Sequence, residues 1–276
     1  MLSSLIEAAP QVKRVTPSQR IRKMRGQTQA QLLETASGHA YVTKFQSNPL
    51  GPRVLASEWI GTHLMQHIGL PVPDIALIEV PSPVKNVTQG NSGIPSGLHF
   101  GSEYPGDPAS VAVHDFIPDR LLPLIENRDD FAGAFVFDIW VANTDFRQAI
   151  FYRCRHDHRL FSFKFIDNSH LFGGPEWKFE ETGNTGTYIF QTLYGHILNW
   201  DNLSPWLERI ALAGSHYILE EITSSVPEHW VTQNDWLELE RVAEQLKTRS
   251  RNLRERVDIY IQLFPERFPH WNLPKF

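Results

Sequence analysis

The sequence predicts an α+β protein in two lobes, a small β-rich one followed by a mostly helical one. Three observations carry this. Short runs with apolar alternation occupy the first 117 residues, Pro118 ends them, and beyond it apolar residues recur mainly at helical spacing. The expected boundaries are a lead-in over 1–24, an N-lobe over 25–118 and a C-lobe over 119–276.

In order, residues 11–26 carry Lys13, Arg14, Arg20, Arg22, Lys23 and Arg25, a basic run that reads as solvated or as phosphate-attracting. Next comes a hairpin, from Gln27 to Leu33 and from Ala40 to Phe45, turning at Thr35–Gly38 and placing Lys44 inside a strand. A lysine there is also what an exposed sheet edge carries. Arg53 to Ile68 has Leu55, Trp59, Leu64 and Ile68 at helical spacing, with Gly69 as its stop. On that periodicity Glu58 falls on a solvated face.

Ile75 to Val80 reads as a strand, Pro81 to Pro108 as a long Gly- and Pro-rich loop in which His99 to Ser102 is turn chemistry, and Val111 to Ile117 as a strand. Helices are expected at Leu121 to Ile125 and Asp129 to Ala142, then at Pro205 to Ala213 with its proline in the first turn, at Ser215 to Ser224, and at Asp235 to about Leu263.

Composition narrows the function classes. A formal net charge of −5 and a pI near 6.2 give no basic field for direct nucleic-acid binding. The single cysteine, Cys154, excludes an intramolecular disulfide and cysteine-based zinc clusters. No apolar run reaches membrane-spanning length and residues 1–10 lack a secretory pattern, so no membrane association and a cytoplasmic location are expected.

The chemistry centres on Asn143 to Asp167. Two apolar runs, Ala149 to Tyr152 and Leu160 to Ile166, read as a hairpin whose ends bring Asp145 and Asp167 together. Each acid alone also fits a turn cap. Their order after a strand lysine and a helix glutamate is the order in which protein kinases use these residue types. A zinc hydrolase built on His156, His158 and His170 lacks a ligand set of matching spacing.

Four segments together resemble the HipA-like kinases: Asn143-Thr-Asp-Phe-Arg-Gln148, Phe163-Lys-Phe-Ile-Asp167, the Lys44 strand following Arg25 to Ala30, and Arg53 to Trp59. The resemblance is greatest to the stand-alone HipA-like domains and implies a protein-kinase-like fold with ATP and Mg2+ as cofactors. It implies Asp145 as the residue accepting or orienting the hydroxyl proton, with Asn143 and Arg147 beside it, and Asp167 as a magnesium ligand. It also implies Lys44 on the nucleotide phosphates, Glu58 orienting it, Gly26, Gln27 and Thr28 as the phosphate-covering turn, and Phe116 and Ile117 in the adenine connector. Five residues after Asp145, where the resemblance implies a second metal-binding asparagine, stands Ile150, which cannot bind magnesium; Gln148 and Asn168 are the nearby substitutes. The expected partner is a protein substrate, with room for a further protein partner. The alternative is a degenerate kinase fold that binds nucleotide or protein with little transfer.

Overall fold

A computed structural model describes residues 13–81, 94–154, 157, 159–179, 186–188 and 191–272. His156 and His158 lie outside the described residues. Six strands form one sheet: β1 (Lys13–Val15), β2 (Pro17–Lys23), β3 (Gln31–Thr35), β4 (Ala40–Lys44), β5 (Ile75–Val80) and β6 (Gly97–Glu103), in the order β1-β5-β6-β4-β3-β2. The two edge strands are consecutive in the chain and bend at Thr16, which curls the sheet. The basic lead-in is therefore built into the sheet from residue 13, with most of its cationic side chains exposed. The β3–β4 hairpin forms where expected, turning through Gly38 at φ 81°, a backbone angle that favours glycine.

Lys44 is not on an edge. Its strand lies between β3 and β6, and Lys44 pairs with Phe100. The segment His99 to Ser102, expected as turn chemistry, is the middle of β6. Gly101 there serves packing, since a Cβ would come within 2.5 Å of the Ile78 side chain. Val111 to Ile117, expected as a strand, is irregular and makes one bridge, His114 to Phe151, because its side chains find too little apolar surface: residues 111–116 are half-buried or exposed.

α1 (Arg53–His67) connects the lobes, ending at Gly69 with φ 81°. It is buried on all sides from Val54 to Met65, so Glu58, expected on a solvated face, is only 3% exposed. Gly61 accommodates Leu171 and Asn168, both of which a Cβ would strike. The helix is tied to the C-lobe by Arg53 Nε to Asp235 Oδ1 at 2.6 Å, Trp59 Nε1 to Ser225 Oγ at 2.9 Å and Trp177 Nε1 to Ser57 Oγ at 2.9 Å. One apolar core joins Trp59, Ile60 and Phe100 to Phe131, Phe135 and Phe151 below.

The C-lobe comprises α2 (Asp130–Trp140), the hairpin β7 (Gln148–Arg153) and β8 (Phe161–Ile166), α3 (Trp200–Ala213), α4 (His216–Ser224), α5 (Gln233–Arg251) and α6 (Leu253–Leu263). Leu121 to Ile125 proves to be the end of a 3-10 turn over Asp119–Leu124. α3 starts at Trp200 rather than Pro205, because Asn199 and Asn202 form a capping box upstream, and Pro205 is interior. The expected single C-terminal helix is two, interrupted at Asn252 with φ −114° and ψ 20°.

Two buried histidines give a pH dependence. His63 Nδ1 donates to Trp59 O, and His99 is held between Gln46 N and Pro95 O. Burial lowers both pKa values, against the smaller opposing effect of their backbone bonds. The unfolded chain then binds these protons more readily, so stability is complete above the ordinary value of 6.5 and declines as pH falls below it. The urea midpoint should drop between about pH 7.5 and pH 5.5, and this drop should shrink in a His63→Phe/His99→Gln variant. An identical pH profile in that variant would remove the histidines as its cause.

Candidate active site

Two buried ion-pair clusters tie β4 and α1 to the loop after β8, and α2 to the loop before β7. In the first, Lys44 Nζ donates to Glu58 Oε1, to Asp167 Oδ1 at 2.9 Å and to Ser169 Oγ at 3.2 Å. One carboxylate comes from α1 and the other from the loop after β8. Asn168 N donates to Glu58 Oε1 at 3.0 Å, which fastens that loop to the helix. Burial opposes the charge on Lys44, but Asp167 and Glu58 override it and raise its pKa. Burial also opposes ionisation of Asp167, yet Lys44 and the Ser169 hydroxyl hold its carboxyl well below the usual carboxylate range. Asp167 has φ 63°, a left-handed conformation that short polar residues tolerate better than most. Its Oδ1 takes all of these bonds.

The second cluster lies under the loop that runs from Asn143 to Arg147. α2 ends in a Schellman arrangement, with Asn143 N to Asp138 O at 3.0 Å and Ala142 N to Ile139 O at 3.4 Å, and Ala142 takes φ 51° where glycine is usual. Arg249 adds two bonds at this helix end, donating to Trp140 O and Ile139 O. The chain thereby turns back over the helix, and Asn143 Nδ2 donates to Asp138 Oδ1 at 3.0 Å while Asn143 Oδ1 accepts from Asp145 N at 3.1 Å. Arg147 is 1% exposed. Its Nε reaches Asp138 Oδ2 at 3.0 Å, and its Nη1 reaches Ile166 O, Asp167 O and Asn168 Oδ1. Burial opposes its charge and Asp138 restores it, so the Arg147 pKa is raised.

Thus the backbone of the Asp145 loop and that of the Asp167 loop are locked to one another by one guanidinium. Asp145 itself is half-exposed, with Oδ1 accepting from Phe146 N at 2.8 Å. Gly186 N donates to Asn143 O at 2.7 Å, and a Cβ at Gly186 would run into Asp145 O.

The structure therefore joins Lys44, Glu58 and Asp167 directly, and Asn143, Asp145 and Arg147 through the loop beneath. Gly26 has φ 118° at the exposed turn after β2, Gln27 is exposed and Thr28 is buried. Gln148 opens β7, exposed and opposite Ile166. Phe116 is 59% exposed, whereas the Ile117 side chain is packed in the apolar core. Asn168 is turned inward, donating to Thr62 Oγ1 and accepting from Arg147. Sequence reasoning missed Asp138 and Ser169. Asp138 had a signal, being the sole charged residue in the apolar run from Phe131 to Ala142; Ser169, one serine among turn residues, had none.

Removing one partner of a buried ion pair leaves an uncompensated charge, at a cost of about 3–5 kcal/mol. Asp138→Ala should lower unfolding stability by about that amount in urea titrations. A loss within the range of an ordinary surface substitution would show that the pair does not hold the loop.

A sequence model described as HipA-like kinase matches residues 19–257. A search of curated proteins returned no match. Among solved structures, the chain is similar to the Helicobacter pylori proinflammatory kinase CtkA, with a TM-score of 0.54 and 14% identity, covering 91% of this chain and 98% of that one. It is also similar to hydra Fam20 solved with sugar, at a TM-score of 0.47 and 12% identity, covering 90% and 86%. At 14% identity the likeness to CtkA concerns the fold alone. The family match spans the sheet except β1 and the start of β2, both ion-pair clusters and most of the helical lobe, and the chain belongs to the HipA-like kinase family.

Proposed function

We propose that this chain is an ATP- and Mg2+-dependent serine/threonine protein kinase acting in the cytoplasm. The observation that carries the reading is Lys44, a buried ammonium held by one carboxylate from each lobe. An ammonium so placed is a fixed positive charge for nucleotide phosphates. The Gly26–Thr28 turn covers those phosphates, its glycine conformation leaving the backbone free to approach them.

The donors also suit magnesium. Among the described residues no group of three or more His, Cys, Asp or Glu side chains could hold a metal ion, and magnesium typically takes one or two protein carboxylates with phosphate and water oxygens completing its shell. Asp167 Oδ2 and the Gln148 amide oxygen would hold it. Bound there, magnesium supplies charge neutralisation on the phosphates. Asp145, anchored through Oδ1, presents Oδ2 to accept the proton of a substrate hydroxyl, and Asn143 holds its backbone in place.

Ile150 favours a second reading, a degenerate kinase fold that binds nucleotide or protein with little transfer. It shares the face of β7 with Gln148, since Ala149 and Phe151 point into the core, and Asn168 is bonded elsewhere. Transfer of labelled phosphate from ATP to any protein in a lysate, or to the chain itself, separates the two.

Two substitutions divide the roles. Asp167→Asn should abolish the magnesium-dependent thermal shift with ATP. Asp145→Asn should keep that shift and lose transfer by about 100-fold or more. Absence of any ATP–magnesium shift in the unmodified protein would sink the nucleotide site.

A further inference from the structure

We propose that His170 is a positioning residue for Asp145, holding its free carboxylate oxygen through an imidazole Nδ1–H. The inference rests on the reading of Asp145 as the residue that takes the hydroxyl proton. Among the described residues His170 Nδ1 is buried without a hydrogen-bond partner, and it lies 4.0 Å from Asp145 Oδ2. A buried polar atom left unpaired is costly and uncommon, and the polar group it faces is this carboxylate. The opposite oxygen, Oδ1, is already fixed by Phe146 N, so Oδ2 is the one that needs orienting.

The backbones are placed for the contact. His170 O accepts from Thr144 N at 3.0 Å and from Thr144 Oγ1 at 3.2 Å, which pins residue 170 beside residue 144 and sets the approach of the two side chains. Shortening the gap by about 1 Å makes a normal hydrogen bond, and catalytic contacts are often long before substrate is bound. One carboxylate oxygen has lone pairs for both the imidazole N–H and a substrate hydroxyl. A neutral imidazole has one N–H, so the contact requires the proton on Nδ1, with Nε2 left as an acceptor.

The test separates the contact from the reaction. In protein labelled with 15N-histidine at about pH 8, where an ordinary imidazole is neutral, the His170 signal is identified by its loss in His170→Phe. It should report the Nδ1–H form in the unmodified protein and shift toward Nε2–H in Asp145→Asn. The same tautomer in both proteins overturns the proposal whether or not the protein transfers phosphate. With ATP, magnesium and an unphosphorylated protein that the unmodified chain labels in the lysate assay, His170→Asn, whose amide N–H reaches the Nδ1 position, should retain near-normal kcat. His170→Gln and His170→Phe should lose about tenfold to 100-fold in kcat with KM for ATP unchanged. Normal kcat in His170→Phe overturns the positioning role, and absence of transfer by the unmodified protein overturns the kinase reading instead.

Discussion

Lys44 carries its charge into a place almost closed to water, and such a charge must be answered by opposite charge from its surroundings. Desolvating an ammonium costs several kcal/mol even after relaxation. A carboxylate at about 4 Å returns about 4 kcal/mol at the effective dielectric of a protein, and because burying each carboxylate carries its own cost, the cluster needs both of them and the hydrogen bonds around them. Glu58 arrives on α1 and Asp167 on the loop after β8, with Ser169 adding a neutral bond. Three separate parts of the chain are thereby held at one point.

That demand explains the character of α1. A helix carrying an inward glutamate has to be fixed in rotation and in position, and here it is fixed from every side. Arg53 and Trp59 reach C-lobe residues, Trp177 reaches back to Ser57, and Gly61 lets the Asn168 loop press against the helix. In this chain the helix is bolted to both lobes.

Arg147 and Asp138 perform the matching task below. A guanidinium has several donors in a planar fork, and this one uses them on a carboxylate, two backbone carbonyls and an amide oxygen. A lysine could not replace that spread of bonds. The buried pair fixes a loop whose shape depends on few of its own residues, and Asp145 on that loop is half-exposed.

Local pattern determined much of the chain. The β3–β4 hairpin, α1 with its Gly69 stop, α2, and the β7–β8 hairpin with an acid at each end were legible because alternation, helical spacing and turn residues act over a few neighbours. Their order, together with the four quoted segments, pointed to the kinase family. Tertiary structure decided what local pattern could not carry. His99 to Ser102 became a central strand because β4 and β5 flank it, and Val111 to Ile117 did not become a strand because too little packs on it. Glu58 is inside because its partner is 14 residues away in sequence, and Arg147 is inside because Asp138 waits a helix turn below the loop. Periodicity weighs each residue's affinity for water alone, whereas a buried charge is set by its counter-charge, and that is known only once the chain has folded.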